Sequence, residues 1–252
     1  RIETTDPEFG DDDFIFVSDG NDTVLGGSGA DFIDAGTDTG ADVVVGDNGF
    51  AVFDTTTIPG DGLLAEIRST VPAIGGADVI LVGDGDDVVI AGVGADFVNY
   101  LPSTTGGAPT QFGVDSGDDF VVGDNGFALF DTSSGLALVL SRIETTDPEF
   151  GDDDFIFVSD GNDTVLGGSG ADFIDAGTDD GADVVVGDNG YALFDTTTVA
   201  GSSVIEEIRI DGTQRIESET VRSYMRVNEG DAFDPVRQTI VDQETKRAIC
   251  DR

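Results

Sequence analysis

The sequence predicts an all-β chain wound as a solenoid, a roll of short strands joined by turns. Three observations lead there. Aspartates recur on a nine-residue spacing, an apolar residue stands two positions after each, and the first 57 residues return almost unchanged later in the chain. Self-similarity on a fixed period marks a solenoid or an array of modules. The 36 glycines among 252 residues work against helix.

The spacing runs Asp13, Asp22, Asp31, then Asp42 after eleven residues, and it returns as Asp154, Asp163, Asp172 and Asp183. A Gly- and Asp-rich stretch suited to a turn precedes each Asp. Ile15, Val24, Ile33 and Val44 follow two positions on. Each half-coil thus reads as a turn followed by a strand of about three residues whose central side chain faces the interior. The neighbours of that central residue are often apolar too, as in Phe14 and Phe16, Val43 and Val45, or Phe155 and Phe157. Cover by neighbouring loops and contact with another subunit or module are equally open explanations.

Residues 1–57 recur at 142–198 and differ only at Thr39/Asp180, Phe50/Tyr191 and Val52/Leu193. A diverged copy lies between them: residues 2–35 align without gaps on 67–100, which matches Asp13 with Asp78, Asp22 with Asp87 and Asp31 with Asp96; Asp119 continues the series. Each unit closes on one phrase, GDNGFAVFD (46–54), GDNGFALFD (123–131) and GDNGYALFD (187–195). Ala51, Ala128 and Ala192 stand where the spacing expects Asp, and these half-coils read as stops.

After each phrase the pattern becomes strand, turn, strand. Residues 127–146, with Ser133-Ser134-Gly135 at the turn, predict a β-hairpin, and similar pairs are expected around Ile58–Gly62 and Val199–Ser203. The expected organisation is roll unit 1 (1–57), a diverged unit 2 (58–134) with a surface-loop insertion at 99–117, a hairpin strand plus unit 3 (135–200), and a β-rich capping or docking segment (201–252). A sharp composition change supports the last boundary. Before residue 209 the only basic residues are Arg1, Arg68 and Arg142.

GGSGADFID at 26–34, repeated at 167–175, fits the nine-residue pattern G-G-x-G-x-D-x-U-x throughout. SDGNDTVL (18–25) and GDGDDVVI (83–90) lose one glycine, and AGTDTGADVVV (35–45) carries two extra residues. Through these motifs the chain resembles the RTX (hemolysin-type) calcium-binding repeat family. The resemblance implies a parallel β-roll that holds several calcium ions, each between turns of successive coils. Calcium takes six to eight oxygen ligands and mixes carboxylates with backbone carbonyls. Turn glycines let carbonyls point inward, and the Asp adds charge. The resemblance makes metal-site residues of Asp13, Asp22, Asp31, Asp42, Asp78, Asp87, Asp96, Asp119, Asp154, Asp163, Asp172 and Asp183. The turn glycines carried over with them are Gly20, Gly27, Gly29, Gly85, Gly92, Gly94, Gly161, Gly168 and Gly170.

Composition narrows the function. Fifty-two acidic residues against 11 basic ones give a formal net charge of -41, which repels nucleic acid and anionic lipid and destabilises a compact state without bound cations. No apolar run approaches the length of a membrane span. Cys250 is alone, so no intrachain disulfide forms, and metal is the usual substitute staple. With no histidine, the commonest general base is missing. The chain therefore reads as a non-enzymatic, calcium-binding structural repeat protein: an adhesin, surface-layer or filament component that folds, and assembles with copies of itself, on binding calcium. The family implies an extracellular or cell-surface bacterial location and type I secretion. The opening inside a repeat reads as part of a longer polypeptide. The alternative is an accessory or secretion domain of a secreted enzyme whose catalytic part lies elsewhere.

Overall fold

Strands of three residues between glycine turns build a roll only if each coil stacks on the last, and the strand pairings show that stacking. The computed structural model describes the chain except residues 58–61, 104–107, 114–115, 136–137, 179–180, 200–201, 211–238, 243–246 and 250–252. One parallel sheet contains β2 (Phe14–Phe16), β4 (Phe32–Asp34), β8 (Val79–Leu81), β10 (Phe97–Val98), β16 (Phe155–Phe157) and β18 (Phe173–Asp175), in that order. A second contains β3 (Thr23–Leu25), β5 (Val43–Val45), β9 (Val88–Ile90), β13 (Phe120–Val122), β17 (Thr164–Leu166) and β19 (Val184–Val186). The chain alternates between them, so each coil adds one rung to each sheet. Pairs β4–β8 and β10–β16 run across the repeat boundaries, and the roll is continuous from the first unit to the third.

The predicted hairpins are present, and they do more than connect. β6 (Gly49–Asp54) pairs with β7 (Leu63–Ser69), β14 (Gly126–Phe130) with β15 (Leu140–Thr145), and β20 (Gly190–Val199) with β21 (Ser202–Ile210). Together with β1 (Ile2–Glu3) they form a seven-stranded antiparallel sheet. Ala51, Ala128 and Ala192 lie in its first strands and face Ile67 or Ile143. No Asp is needed there, because the chain has already left the roll. The turns expected around Ile58–Gly62 and Val199–Ser203 fall largely on residues outside those described, as do 136–137, whereas Ser133-Ser134-Gly135 lies in a turn.

Two cores follow from three layers. Ile33, Ile80, Val98 and Ile156 of the first sheet meet Val24, Val44, Val89, Val121 and Val165 of the second. The other face of the second sheet, with Val43, Val45, Val88, Ile90, Val122 and Leu166, packs on Ala51, Ile67, Ala128, Ile143 and Ala192 of the hairpin sheet. A strand buried on both faces reads as an unbroken apolar run, as in Val43-Val44-Val45. The chain's own hairpins, rather than loops or another subunit, thus cover this face. On their other face Arg68 and Arg142 lie over the Phe127 ring at 4.1 and 5.5 Å, and Arg1 over Phe50 at 3.8 Å. These three rare cations serve one cation–π row.

Among the described residues, the outer face of the first sheet is covered by the 99–117 insertion alone, over β8 to β18. The 99–117 insertion begins as a short arm, β11 (Tyr100–Leu101) paired with β12 (Thr110–Gln111). Tyr100 packs its ring within about 6 Å of Phe155, Phe157 and Phe173. Toward the N-terminal end, Phe14 and Phe16 stay exposed. Of the expected 201–252 segment, β21 is described, and so are β22 (Thr239–Asp242), which extends the second sheet beside β19, and β23 (Arg247–Ile249). The remainder falls outside the described residues.

Candidate calcium turns

The turns between strands stack along the two sides of the roll. On one side Asp13, Asp31, Asp78, Asp96, Asp154 and Asp172 form a ladder. Each backbone N–H donates to Oδ1 of the next Asp: Asp13 to Asp31 at 2.7 Å, Asp31 to Asp78 at 2.8 Å, Asp78 to Asp96 at 2.7 Å, Asp96 to Asp154 at 2.8 Å and Asp154 to Asp172 at 3.1 Å. On the other side Asp22, Asp42, Asp87, Asp119, Asp163 and Asp183 repeat the pattern, with distances from 2.7 to 3.3 Å. All twelve aspartates singled out in the sequence therefore fall on these two ladders. The nine turn glycines have φ between +112° and +157°, a region that disfavours a Cβ.

One oxygen per carboxylate is used in the ladder, and the other is left over. Oδ2 of Asp22, Asp31, Asp78, Asp96, Asp154 and Asp172 is buried with no hydrogen-bond partner. A buried anionic oxygen without a partner is costly. Those of Asp31, Asp78, Asp154 and Asp172 lie against the turn backbone. A Cβ placed on Gly26 would overlap Asp31 Oδ2 and the Gly46 carbonyl oxygen, and one placed on Gly167 would overlap Asp172 Oδ2 and crowd the Gly187 carbonyl. Among the described residues no three acidic or Cys side chains converge on a single point. The available donors are single carboxylates with carbonyls beside them. That mixed oxygen set suits calcium.

The electrostatics point the same way. Burial pushes the carboxyls of Asp42 and Asp172 up to about 6 and that of Asp78 up to about 10, the last with further repulsion from Asp96 and Asp47. Burial raises Asp31, Asp96 and Asp154 as well. A carboxyl so placed takes up either a proton or a cation.

A family model for the RTX calcium-binding nonapeptide repeat matches the chain in four copies, over residues 9–39, 73–100 and 150–181. These segments are RTX calcium-binding repeats. No curated protein and no solved structure matches the chain. RTX nonapeptide repeats bind calcium, so this is a calcium-binding repeat protein with a β-roll fold. Asp42, Asp119 and Asp183 lie beyond the matched RTX segments, yet they occupy the same ladder as Asp22, Asp87 and Asp163.

Sequence reasoning missed the acids of the recurring GDNG phrase. Asp47 and Asp124 are each 2% exposed, and burial pushes both carboxyls up to about 8. Asp47 accepts N–H bonds from Gly76 (3.0 Å) and Val93, and Asp124 accepts them from Asp152 (3.3 Å) and Ser169. Asp188 of the third phrase is buried too. The available signal was position: counted from the end of the preceding strand, these acids occupy the place of Gly27, Gly92 and Gly168 in the RTX turns.

Proposed function

We propose that this is an extracellular structural repeat protein, a filament, surface-layer or adhesin component, whose roll folds on calcium held by the two aspartate ladders. The observation that carries the reading is the row of buried Oδ2 atoms without a hydrogen-bond partner at Asp31, Asp78, Asp154 and Asp172, each beside a backbone carbonyl. Before calcium binds, the net charge of -41 opposes compaction. With calcium, binding energy becomes folding energy. The reading takes segments 1–57, 58–134 and 135–200 as roll units, 201–252 as a cap or docking segment, and the ladder aspartates with their turn glycines as the calcium-holding residues. Secretion fits it, since RTX repeats are typical of secreted bacterial proteins and calcium is scarce inside cells. Among the described residues no helix is long and apolar enough to cross a membrane.

Self-association belongs to the same reading. Its support is the first sheet's outer face at β2, where among the described residues Phe14 and Phe16 are exposed while Phe155 and Phe157, their counterparts in the third unit, lie against Tyr100.

Sedimentation velocity in chelator and then in millimolar calcium tests the reading. The chain is expected to pass from an expanded species to a compact or assembled one. Asp31→Ala and Asp172→Ala should each raise the calcium midpoint of that change roughly tenfold. Unchanged midpoints in both variants would remove the ladder aspartates as ligands.

A further inference from the structure

The GDNG phrases mark places where a turn of the roll is cut open and a hairpin inserted. In a complete turn the first residue and the ladder Asp are close in sequence, as with Gly26 and Asp31 or Gly167 and Asp172. At the cuts they are far apart: Gly46 belongs with Asp78, and Gly123 with Asp154. Backbone pairing fixes this equivalence. Gly26, Gly46 and Gly123 each follow a strand of the second sheet directly, and each donates its N–H to the end of the next strand, at Val45, Ile90 and Leu166.

The two halves of each cut turn nevertheless close into the geometry of a complete one. A Cβ on Gly46 would overlap Asp78 Oδ2 and the Ala91 carbonyl oxygen; one on Gly123 would overlap Asp154 Oδ2 and meet the Gly167 carbonyl oxygen. This is the juxtaposition found at Gly26 with Asp31 and the Gly46 carbonyl. Asp78 and Asp154 are both 0% exposed, and their Oδ2 atoms have no partner.

The two residues after each of these glycines tie the halves together. Asp47 accepts the Gly76 N–H of the returning half-turn and the Val93 N–H of the next coil, while Asn48 Nδ2 donates to the Ile74 carbonyl at 3.0 Å. At the second cut, Asp124 accepts from Asp152 and Ser169, and Asn125 Nδ2 donates to the Phe150 carbonyl at 3.0 Å. A donor and an acceptor of the returning strand are thereby satisfied by side chains where the continuous backbone has been removed. A Cβ on Gly75 or Gly151 would collide with the Asp47 or Asp124 carboxylate, so the returning half-turn is shaped around it.

We infer that the cut turns 46/78 and 123/154 are calcium sites in their own right, spliced by Asp47–Asn48 and Asp124–Asn125. The splice lets the chain insert a covering hairpin at each repeat boundary and keep its ion there. Asp47 and Asp124 are positioning residues, because both their oxygens already accept N–H bonds. The inference rests on reading the ladder as the calcium-holding row.

The test is calcium stoichiometry, by equilibrium dialysis, together with sedimentation in calcium. The double variant Asp47→Gly/Asp124→Gly installs the residue that complete turns carry at this position and removes only the splice. It should remain compact in calcium yet bind about two fewer ions, or bind them roughly tenfold more weakly. Asp47→Asn/Asp124→Asn keeps one acceptor per splice and should recover part of that loss. Asp172→Ala is the control in a complete turn. If the control loses calcium and the glycine double variant binds like the wild type, the splice is overturned and the ladder stands. If neither loses calcium, the ladder reading fails first. Should the glycine variant stay expanded even in calcium, the Asn pair decides: wild-type stoichiometry and midpoint there overturn the inference.

Discussion

Residues 10–17 and 151–158 carry the same eight amino acids, Gly-Asp-Asp-Asp-Phe-Ile-Phe-Val, in two different surroundings. In the third unit Asp154 and Ile156 are 0% exposed and Phe157 is 8% exposed; in the first, Phe16 is 64% exposed and Asp13 lies in the open. The local fold is the same, since β2 and β16 are both three-residue strands. What differs is the rung below. β16 lies between β10 and β18, whereas among the described residues β2 pairs only with β4. The third-unit stretch also has Asp124 and Asn125 splicing its turn and Tyr100 over its aromatic face, while among the described residues its first-unit counterpart has neither. In a roll, then, local sequence sets the shape of a rung and the neighbouring rung sets its energy, as expected for a quasi-one-dimensional array.

Paired substitutions can break this comparison. The largest difference is expected between Asp154→Ala and Asp13→Ala. The first removes the acceptor of the Asp96 N–H and a buried, unpartnered oxygen, and it should raise the calcium midpoint of folding roughly tenfold or more. The second should move it less than about twofold, since Asp13 is exposed. Calcium titrations followed by circular dichroism would read both, and equal shifts would refute the neighbour argument.

Next come Phe157→Ala and Phe16→Ala. Losing the buried ring should cost about 3 kcal/mol or more in denaturant unfolding with calcium present. Losing the exposed one should stay within about 0.5 kcal/mol at concentrations where the chain is monomeric. A large loss at Phe16 that grows with protein concentration would show that this ring is buried in an assembly.

A smaller effect, which sharpens the comparison, is acid titration in chelator. Asp42, Asp47, Asp78, Asp124 and Asp172 have carboxyls raised above their usual 3.8. The metal-free roll therefore binds more protons than the unfolded chain. That contribution is complete below about 3.8 and is lost as pH rises through about 6 to about 10. The chelated chain should be most compact in acid and expand toward neutral pH, and calcium should bind more tightly over the same rise as protons leave. Expansion of the chelated chain on acidification would contradict the buried ladder.

Much of this was legible in the residues. The nine-residue spacing marked most of the ladder aspartates, because a turn that recurs at fixed length places its polar residue at a fixed point; Asp42 and Asp183, after eleven residues, and Asp119, after the 99–117 insertion, were found by alignment of the repeats. The hairpins were legible from alternation and turn residues. Other features were not. The partner of Val43 and Val45 lies in β6 and β7, which follow in the chain but fold back over a sheet built from all three units. The GDNG acids looked like the end of a unit because their partners, Gly76, Val93, Asp152 and Ser169, lie beyond an inserted hairpin.

The rung is written in the residues alone: turn glycines, a ladder Asp, a short strand with one inward apolar side chain, each a matter of local conformation and period. Long-range packing settles which rungs meet, that the hairpins gather into a third layer, and that Asp47 and Asp124 close turns whose halves the chain separates. Those outcomes depend on contacts between residues distant in sequence: the same eight amino acids are buried at 151–158, where strands flank β16 on both sides, and open at 10–17, where among the described residues only β4 flanks β2.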